Sequence, residues 1–99
     1  MMRIFIDSAD FDELKACWDT GLIDGVTTNP TLLRAYNAQP VEDTYEKILE
    51  LGVPDLSMEV MGSKAAMVKK GINLYNLFGD RATIKIPMTI PGLEACREL

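Results

Sequence analysis

Four short strand-like runs, separated each time by helical pattern, constrain the fold of this chain more than any other feature. The runs are Arg3–Asp7, Gly25–Asn29, Leu56–Val60 and Thr83–Met88. Asp10 followed by Glu13 predicts a capping box, with Phe11, Leu14, Cys17 and Trp18 as an apolar stripe and Gly21 as the stop. Asn29-Pro30 predicts an N-cap and first helical position for a short turn over Thr31–Tyr36. A helix over Val41–Leu51 is expected to stop at Gly52 and Pro54. Another opens at Ser63 and runs through Met67, Val68, Ile72, Leu74 and Leu77 to Gly79. Its Gly71 reads as an interior weak point costing ~1 kcal/mol against Ala. A last helix begins near Pro91 and is still running at Leu99. Strands that alternate with helices imply parallel pairing through right-handed crossovers, an α/β fold.

Side-chain parity sharpens this, because alternate residues of a strand face opposite ways. Ile4 and Ile6 oppose Arg3, Phe5 and Asp7; Val26 opposes Thr27 and Asn29. Leu56, Met58 and Val60 oppose Ser57, Glu59 and Met61, while Ile84, Ile86 and Met88 oppose Thr83, Lys85 and Pro87. Each strand thus has one apolar face suited to packing under helices. Each has a second face whose polar residues lie toward its C-terminal end. An open sheet with helices on both sides would have to bury those polar residues. A (β/α) barrel would gather Asp7, Thr27, Asn29, Glu59 and Lys85 at its C-terminal mouth, where barrel active sites sit.

Lys85, between two isoleucines in the stretch TIKIPM, is the sharpest question. In a parallel sheet covered by helices a lysine must be paired, desolvated or both. Burial lowers a lysine pKa, and a neutral amine is the nucleophile that forms a Schiff base with a carbonyl. A structural ion pair of Lys85 with Glu59 or Asp7 is the competing reading.

Composition removes several function classes. The 99 residues suffice for one small domain, with 47% hydrophobic and 25% charged residues. A net charge of −5, from 10 Lys+Arg against 15 Asp+Glu, argues against nucleic acid as a partner. No run approaches the ~20 apolar residues that span a bilayer. The start, MMRIFID, does not read as an export signal, so a cytoplasmic location with Cys17 and Cys96 as reduced thiols is expected. Histidine is absent, which removes His-dependent triads and most zinc sites.

Two longer stretches carry a resemblance. DGVTTNPTLL (Asp24–Leu33) resembles the strand-two signature of transaldolases, and IKIPMTIPGLEA (Ile84–Ala95) resembles the segment that holds their Schiff-base lysine. FIDSADFDEL (Phe5–Leu14) and SMEVM (Ser57–Met61) fall in the expected order around them. The resemblance is to the small-subunit transaldolase and fructose 6-phosphate aldolase group. It implies that residues 1–99 form the N-terminal half, about four βα units, of a TIM (β/α)8 barrel, stopping within its fourth helix.

The resemblance further implies a class I aldolase mechanism without metal or organic cofactor. Lys85 would attack the ketone of a ketose phosphate, and Asp7 would take the proton of the C4 hydroxyl as the C3–C4 bond breaks. Glu59 would be the acid/base acting through a bound water. Asn29 would hydrogen-bond the dihydroxyacetone unit, and Thr27 would support the Lys85–Glu59 arrangement. Fructose 6-phosphate aldolases typically have glutamine where this chain has Glu59, so Glu59 favours transaldolase, with sugar phosphates as substrates. A half barrel leaves an open sheet edge and an uncovered face, so self-association into a homo-oligomer is expected.

Other residues read as structural. Thr28, Ser57, Thr83, Trp18, Tyr36 and the six methionines are expected in packing or sheet roles, and Arg34 on a solvated helix face within reach of the mouth. Pro87 and Thr89 read as turn and helix-start chemistry. A non-catalytic half barrel is one alternative. A phosphoryl-accepting receiver domain is another, but it needs an acidic pair ending strand one and an Asp after strand three. Here Ser8 follows Asp7, and the strand-three acid is Glu59.

Overall fold

The computed structural model describes residues 2–36 and 40–99. Strands β1 (Phe5–Asp7), β2 (Gly25–Thr27), β3 (Leu56–Glu59) and β4 (Ala82–Lys85) form one sheet in the order β1-β2-β3-β4, every pair parallel. Helix α1 (Phe11–Trp18) joins β1 to β2. Helices α2 (Pro30–Ala35) and α3 (Val41–Leu49) lie between β2 and β3. Helix α4 (Lys64–Phe78) and a 3₁₀ turn lead into β4, and α5 (Ile90–Glu98) follows. Four parallel strands alternating with helices are the arrangement of the first half of a (β/α)8 barrel, and here the sheet is not closed.

Helices α1, α2, α4 and α5 start where the sequence places polar caps, whereas α3 follows Pro40 with no side-chain cap. Asp10 accepts from the backbone N–H of Asp12 (3.1 Å) and Glu13 (3.4 Å). The expected capping box is not completed: the Asp10 N–H donates to Ser8 Oγ (3.1 Å) rather than to Glu13. Ser63 and Thr89 cap α4 and α5 through Ala66 N–H (3.1 Å) and Gly92 N–H (3.0 Å). Helix α3 ends before Gly52, whose φ of 102° is open to glycine at little cost.

The strands are shorter than their apolar runs. β4 ends at Lys85, not at Met88, because Pro87 has no N–H to give the ladder and Thr89 already caps α5. The Thr89 N–H closes the intervening turn on the Pro87 carbonyl (2.8 Å).

Parity holds along every strand. Val26, Leu56, Met58 and Val60 are buried against Leu14, Tyr45, Ile48, Met67, Leu74 and Ala95, so the core lies between the sheet and its helices. Phe5, Asp7, Thr83 and Lys85 on the opposite face are exposed. Among the described residues no helix covers that face, which corrects the expectation that helix cover would desolvate Lys85.

Gly71 is likewise not a plain weak point. A Cβ there would sit 3.0 Å from Leu99 Cδ1 and 3.4 Å from Ile84 Cγ2, so glycine lets the end of α5 and strand β4 close on α4.

Candidate active site

Strand register brings the candidate residues together in two pairs. Glu59 and Lys85 are direct partners across β3 and β4, and Asp7 and Thr27 are direct partners across β1 and β2. All four lie at the C-terminal ends of their strands, one strand spacing of ~4.8 Å from their partners. Asn29 follows β2 by two residues and caps α2, its Oδ1 accepting from Leu32 N–H at 2.9 Å. That bond uses the amide oxygen and leaves the Asn29 NH₂ for another acceptor. Asp7, Asn29, Glu59 and Lys85 line one open cavity of about 450 Å³, which also takes in Arg34 and Met61.

Lys85 Nζ stands 3.9 Å from Glu59 Oε1. At that length the charges attract without a direct hydrogen bond. The Lys85 side chain is 45% exposed and that of Glu59 18%. An ion pair this wet contributes at most about 1 kcal/mol to stability. Of the two expectations for Lys85, pairing is met and desolvation is not. The physical reason is the open face: β4 carries Lys85 on the side away from the helices.

Thr27 is placed differently from its expected role beside Lys85 and Glu59. Its hydroxyl donates to Asp7 Oδ1 at 2.9 Å. Register explains this, since Thr27 pairs with Asp7 on one side and with Ser57, two residues short of Glu59, on the other. One oxygen of the Asp7 carboxylate is therefore held by Thr27, and Asp7 lines the cavity with the other site residues.

Thr28 points the other way, is fully buried, and donates to the Ser57 carbonyl at 2.8 Å, a sheet-tying role as expected. Thr83 also stays low on the sheet and donates to Asp55 Oδ1 at 2.6 Å.

Arg34 is exposed, as a solvated helix residue would be, and still lines the cavity. The signal for this was local. Arg34 is four residues after Pro30, which also lines the cavity, and helix side chains lean back toward the helix N-terminus.

Among the described residues no group of three or more His, Cys, Asp or Glu could hold a metal ion. No helix among them is long and apolar enough to cross a membrane. The chemistry on offer is that of one amine beside one carboxylate, with a second, oriented carboxylate and an amide facing the same space.

Known proteins are similar to this chain over nearly its whole length. The transaldolase/fructose-6-phosphate aldolase family pattern matches residues 4–99. A probable transaldolase of Nitrosopumilus maritimus is 39% identical over 99 residues, covering 99% of this chain and 44% of that protein. One from Thermoplasma volcanium is 42% identical over 101 residues, with 99% and 45% covered. One from a Hydrogenobaculum species is 43% identical over 95 residues, with 95% and 43% covered. The chain thus spans less than half the length of these curated relatives. With its family pattern running from the first strand to the last residue, the chain belongs to the transaldolase/fructose-6-phosphate aldolase family.

Proposed function

We propose that this chain supplies the Schiff-base part of a transaldolase reaction, the transfer of a dihydroxyacetone unit from a ketose phosphate to an aldose phosphate. The donors fitting this chemistry are sedoheptulose 7-phosphate and fructose 6-phosphate, which sets the chain in the cytoplasmic pentose phosphate pathway.

The Lys85 amine adds to the C2 ketone, and loss of water gives an iminium ion. The C3–C4 bond then breaks with its electron pair moving into the iminium, leaving an enamine on Lys85. Asp7 takes the C4 hydroxyl proton as the aldehyde departs, and Thr27 keeps Asp7 aimed. Glu59 moves protons for carbinolamine formation and dehydration. Asn29 donates to the dihydroxyacetone oxygens. The enamine attacks the acceptor aldehyde, and hydrolysis frees Lys85. The scheme uses no metal and no organic cofactor.

One observation carries this reading: Glu59 and Lys85 are register partners that share a cavity with Asp7 and Asn29. A structural ion pair alone would give no reason for a second oriented carboxylate and an amide facing the same space. Glutamate at position 59 favours transfer over the simple aldol cleavage of fructose 6-phosphate aldolases, because glutamine cannot exchange a proton in this way.

The test is intact-mass spectrometry after incubation with fructose 6-phosphate and sodium borohydride. A reduced dihydroxyacetone adduct is expected, and none in Lys85→Met. A folded wild-type chain that gains no adduct would overturn the proposal and leave a half barrel without chemistry.

The open polar face and the two bare sheet edges at β1 and β4 also lead us to propose self-association into a homo-oligomer.

A further inference from the structure

Glu59 faces two spaces. Besides the open cavity it shares with Lys85, it lines a second cavity of about 370 Å³ between α2, α3 and α4. Arg34 of α2, Glu42 and Tyr45 of α3 and Lys70 of α4 bring their polar groups to the same walls. The Glu59 side chain is only 18% exposed, and Lys85 Nζ stays 3.9 Å away. No direct hydrogen bond among the described residues reaches its carboxylate. A carboxylate this far from bulk water needs donors.

Tyr45 brings a neutral donor to that second cavity. Its side chain is buried at 2% exposure, and its ring meets Phe78 edge-on with centroids 6.2 Å apart. Phenylalanine would fill that space equally well. Packing therefore accounts for the ring and not for the hydroxyl, which is costly to bury unless it is bonded. Burial pushes the phenol up from its ordinary pKa, and two carboxylates, Glu42 and Glu59, add to the effect. Glu42 is already held by Lys70, whereas Glu59 has no hydrogen bond among the described residues. The Thr28 hydroxyl also faces the phenol, but its own proton goes to the Ser57 carbonyl. No direct bond joins Tyr45 to Glu59. The cavity they share is polar and large enough for water, which bridges such groups at little cost.

We propose that Tyr45 is a positioning residue for Glu59: its phenol donates, through a water in the second cavity, to the carboxylate that moves protons for Lys85. This rests on the reading of Glu59 and Lys85 given above. Tyr45 touches no substrate atom. It holds one carboxylate oxygen toward the helices, which aims the other at Lys85.

The test is a double-mutant cycle on the rate at which borohydride traps the adduct with fructose 6-phosphate. Tyr45→Phe keeps the ring and removes the donor, and circular dichroism checks that each variant is folded. Tyr45→Phe alone should slow trapping about tenfold. In a Glu59→Gln background the same change should slow it less than about twofold, because its route to Lys85 is already cut. Equal slowing in both backgrounds would overturn the proposal and make Tyr45 structural, or a partner of Thr28 alone. The phenol titration, followed by carbon NMR of the tyrosine rings, is the second readout. Its midpoint should fall in Glu59→Gln, and an unmoved midpoint would also overturn the proposal. If the wild-type chain traps no adduct while the midpoint still falls in Glu59→Gln, the Lys85 chemistry fails and the coupling of Tyr45 to Glu59 stands. Trapping on Lys85 with an additive cycle sinks the role of Tyr45 alone.

Discussion

Replacing Gly92 by alanine should destabilise the chain although alanine is the better helix former. A Cβ at position 92 would lie 2.0 Å from the Pro87 carbonyl oxygen, 3.0 Å from Thr89 Oγ1 and 3.1 Å from Ile86 Cγ2. Carbon and carbonyl oxygen normally touch at ~3.3 Å, so the first contact is short by roughly 1.3 Å. The obstacle is backbone, part of the turn that the Thr89 N–H closes on Pro87, so no side-chain rotation relieves it. Overpacking of this kind costs typically ~1–3 kcal/mol, and a backbone clash belongs at the upper end. Alanine returns ~1 kcal/mol of helix propensity at most. The net loss is about 2 kcal/mol, which lowers the melting temperature of a domain this size by roughly 8–16 °C. Gly71→Ala is the control. There the nearest atom is Leu99 Cδ1 at 3.0 Å, the tip of a half-exposed side chain at the chain end that can turn away. It should lie within ~1 kcal/mol of wild type, the gain in helix propensity being offset by the small shift forced on Leu99. Thermal unfolding followed by circular dichroism reads both. Gly92→Ala melting at or above the wild type, or both variants shifting alike, would refute the reasoning that the two glycines are there for different reasons.

Glu59→Gln keeps the shape beside Lys85 and removes the exchangeable proton, so the rate of adduct formation under borohydride should fall by about 10²–10⁴-fold; an unchanged rate would take Glu59 out of the mechanism. Burial pushes the Tyr45 phenol above its ordinary value, with the Glu42 and Glu59 carboxylates adding to the effect. The folded state therefore holds the neutral phenol more strongly than the unfolded chain does. That contribution is intact below pH 10.0 and is lost as pH rises past it toward the folded value. Urea unfolding of Tyr45→Phe should give a flatter stability curve than wild type above that pH, and parallel curves would refute the assignment. Lys70 beside Glu42 holds the Glu42 carboxyl below its ordinary value. Its part of the stability is present above pH 4.5 and falls away in more acid solution, so Glu42→Gln should flatten the acid limb. Gel filtration with light scattering should find an oligomer; a stable monomer at micromolar concentration would remove the proposed self-association.

Much of the fold is legible in the residues because the deciding forces are local. The switch between period two and helical period places all four strands, and Asp10, Asn29, Ser63 and Thr89 mark helix starts through hydrogen bonds to their own next turn. Strand ends are less legible. Ile86 and Ile84 look alike within TIKIPM, and the break comes from the missing N–H of Pro87 in that run together with the cap at Thr89 beyond it. Within the site, parity puts Asp7, Thr27, Glu59 and Lys85 on one face, but it carries no register. Register is what couples Thr27 to Asp7 and not to Lys85. Gly71 shows the same limit: a helix interior glycine is a propensity cost in isolation, and its use appears only when Leu99 and Ile84 arrive from elsewhere in the chain.

The least legible quantity is the water around Lys85, and the reason is physical. Which face a strand residue occupies follows from its neighbours in sequence; what covers that face is decided by elements far away. Here the helices lie on the apolar side, and the polar side keeps Lys85 about half exposed beside Glu59. Any surface laid over this face would draw water from both groups at once. Removing water disfavours the ammonium and the carboxylate alike, while their mutual attraction favours keeping both. The balance between those two effects is set by whatever covers the face, which nothing in the run TIKIPM encodes.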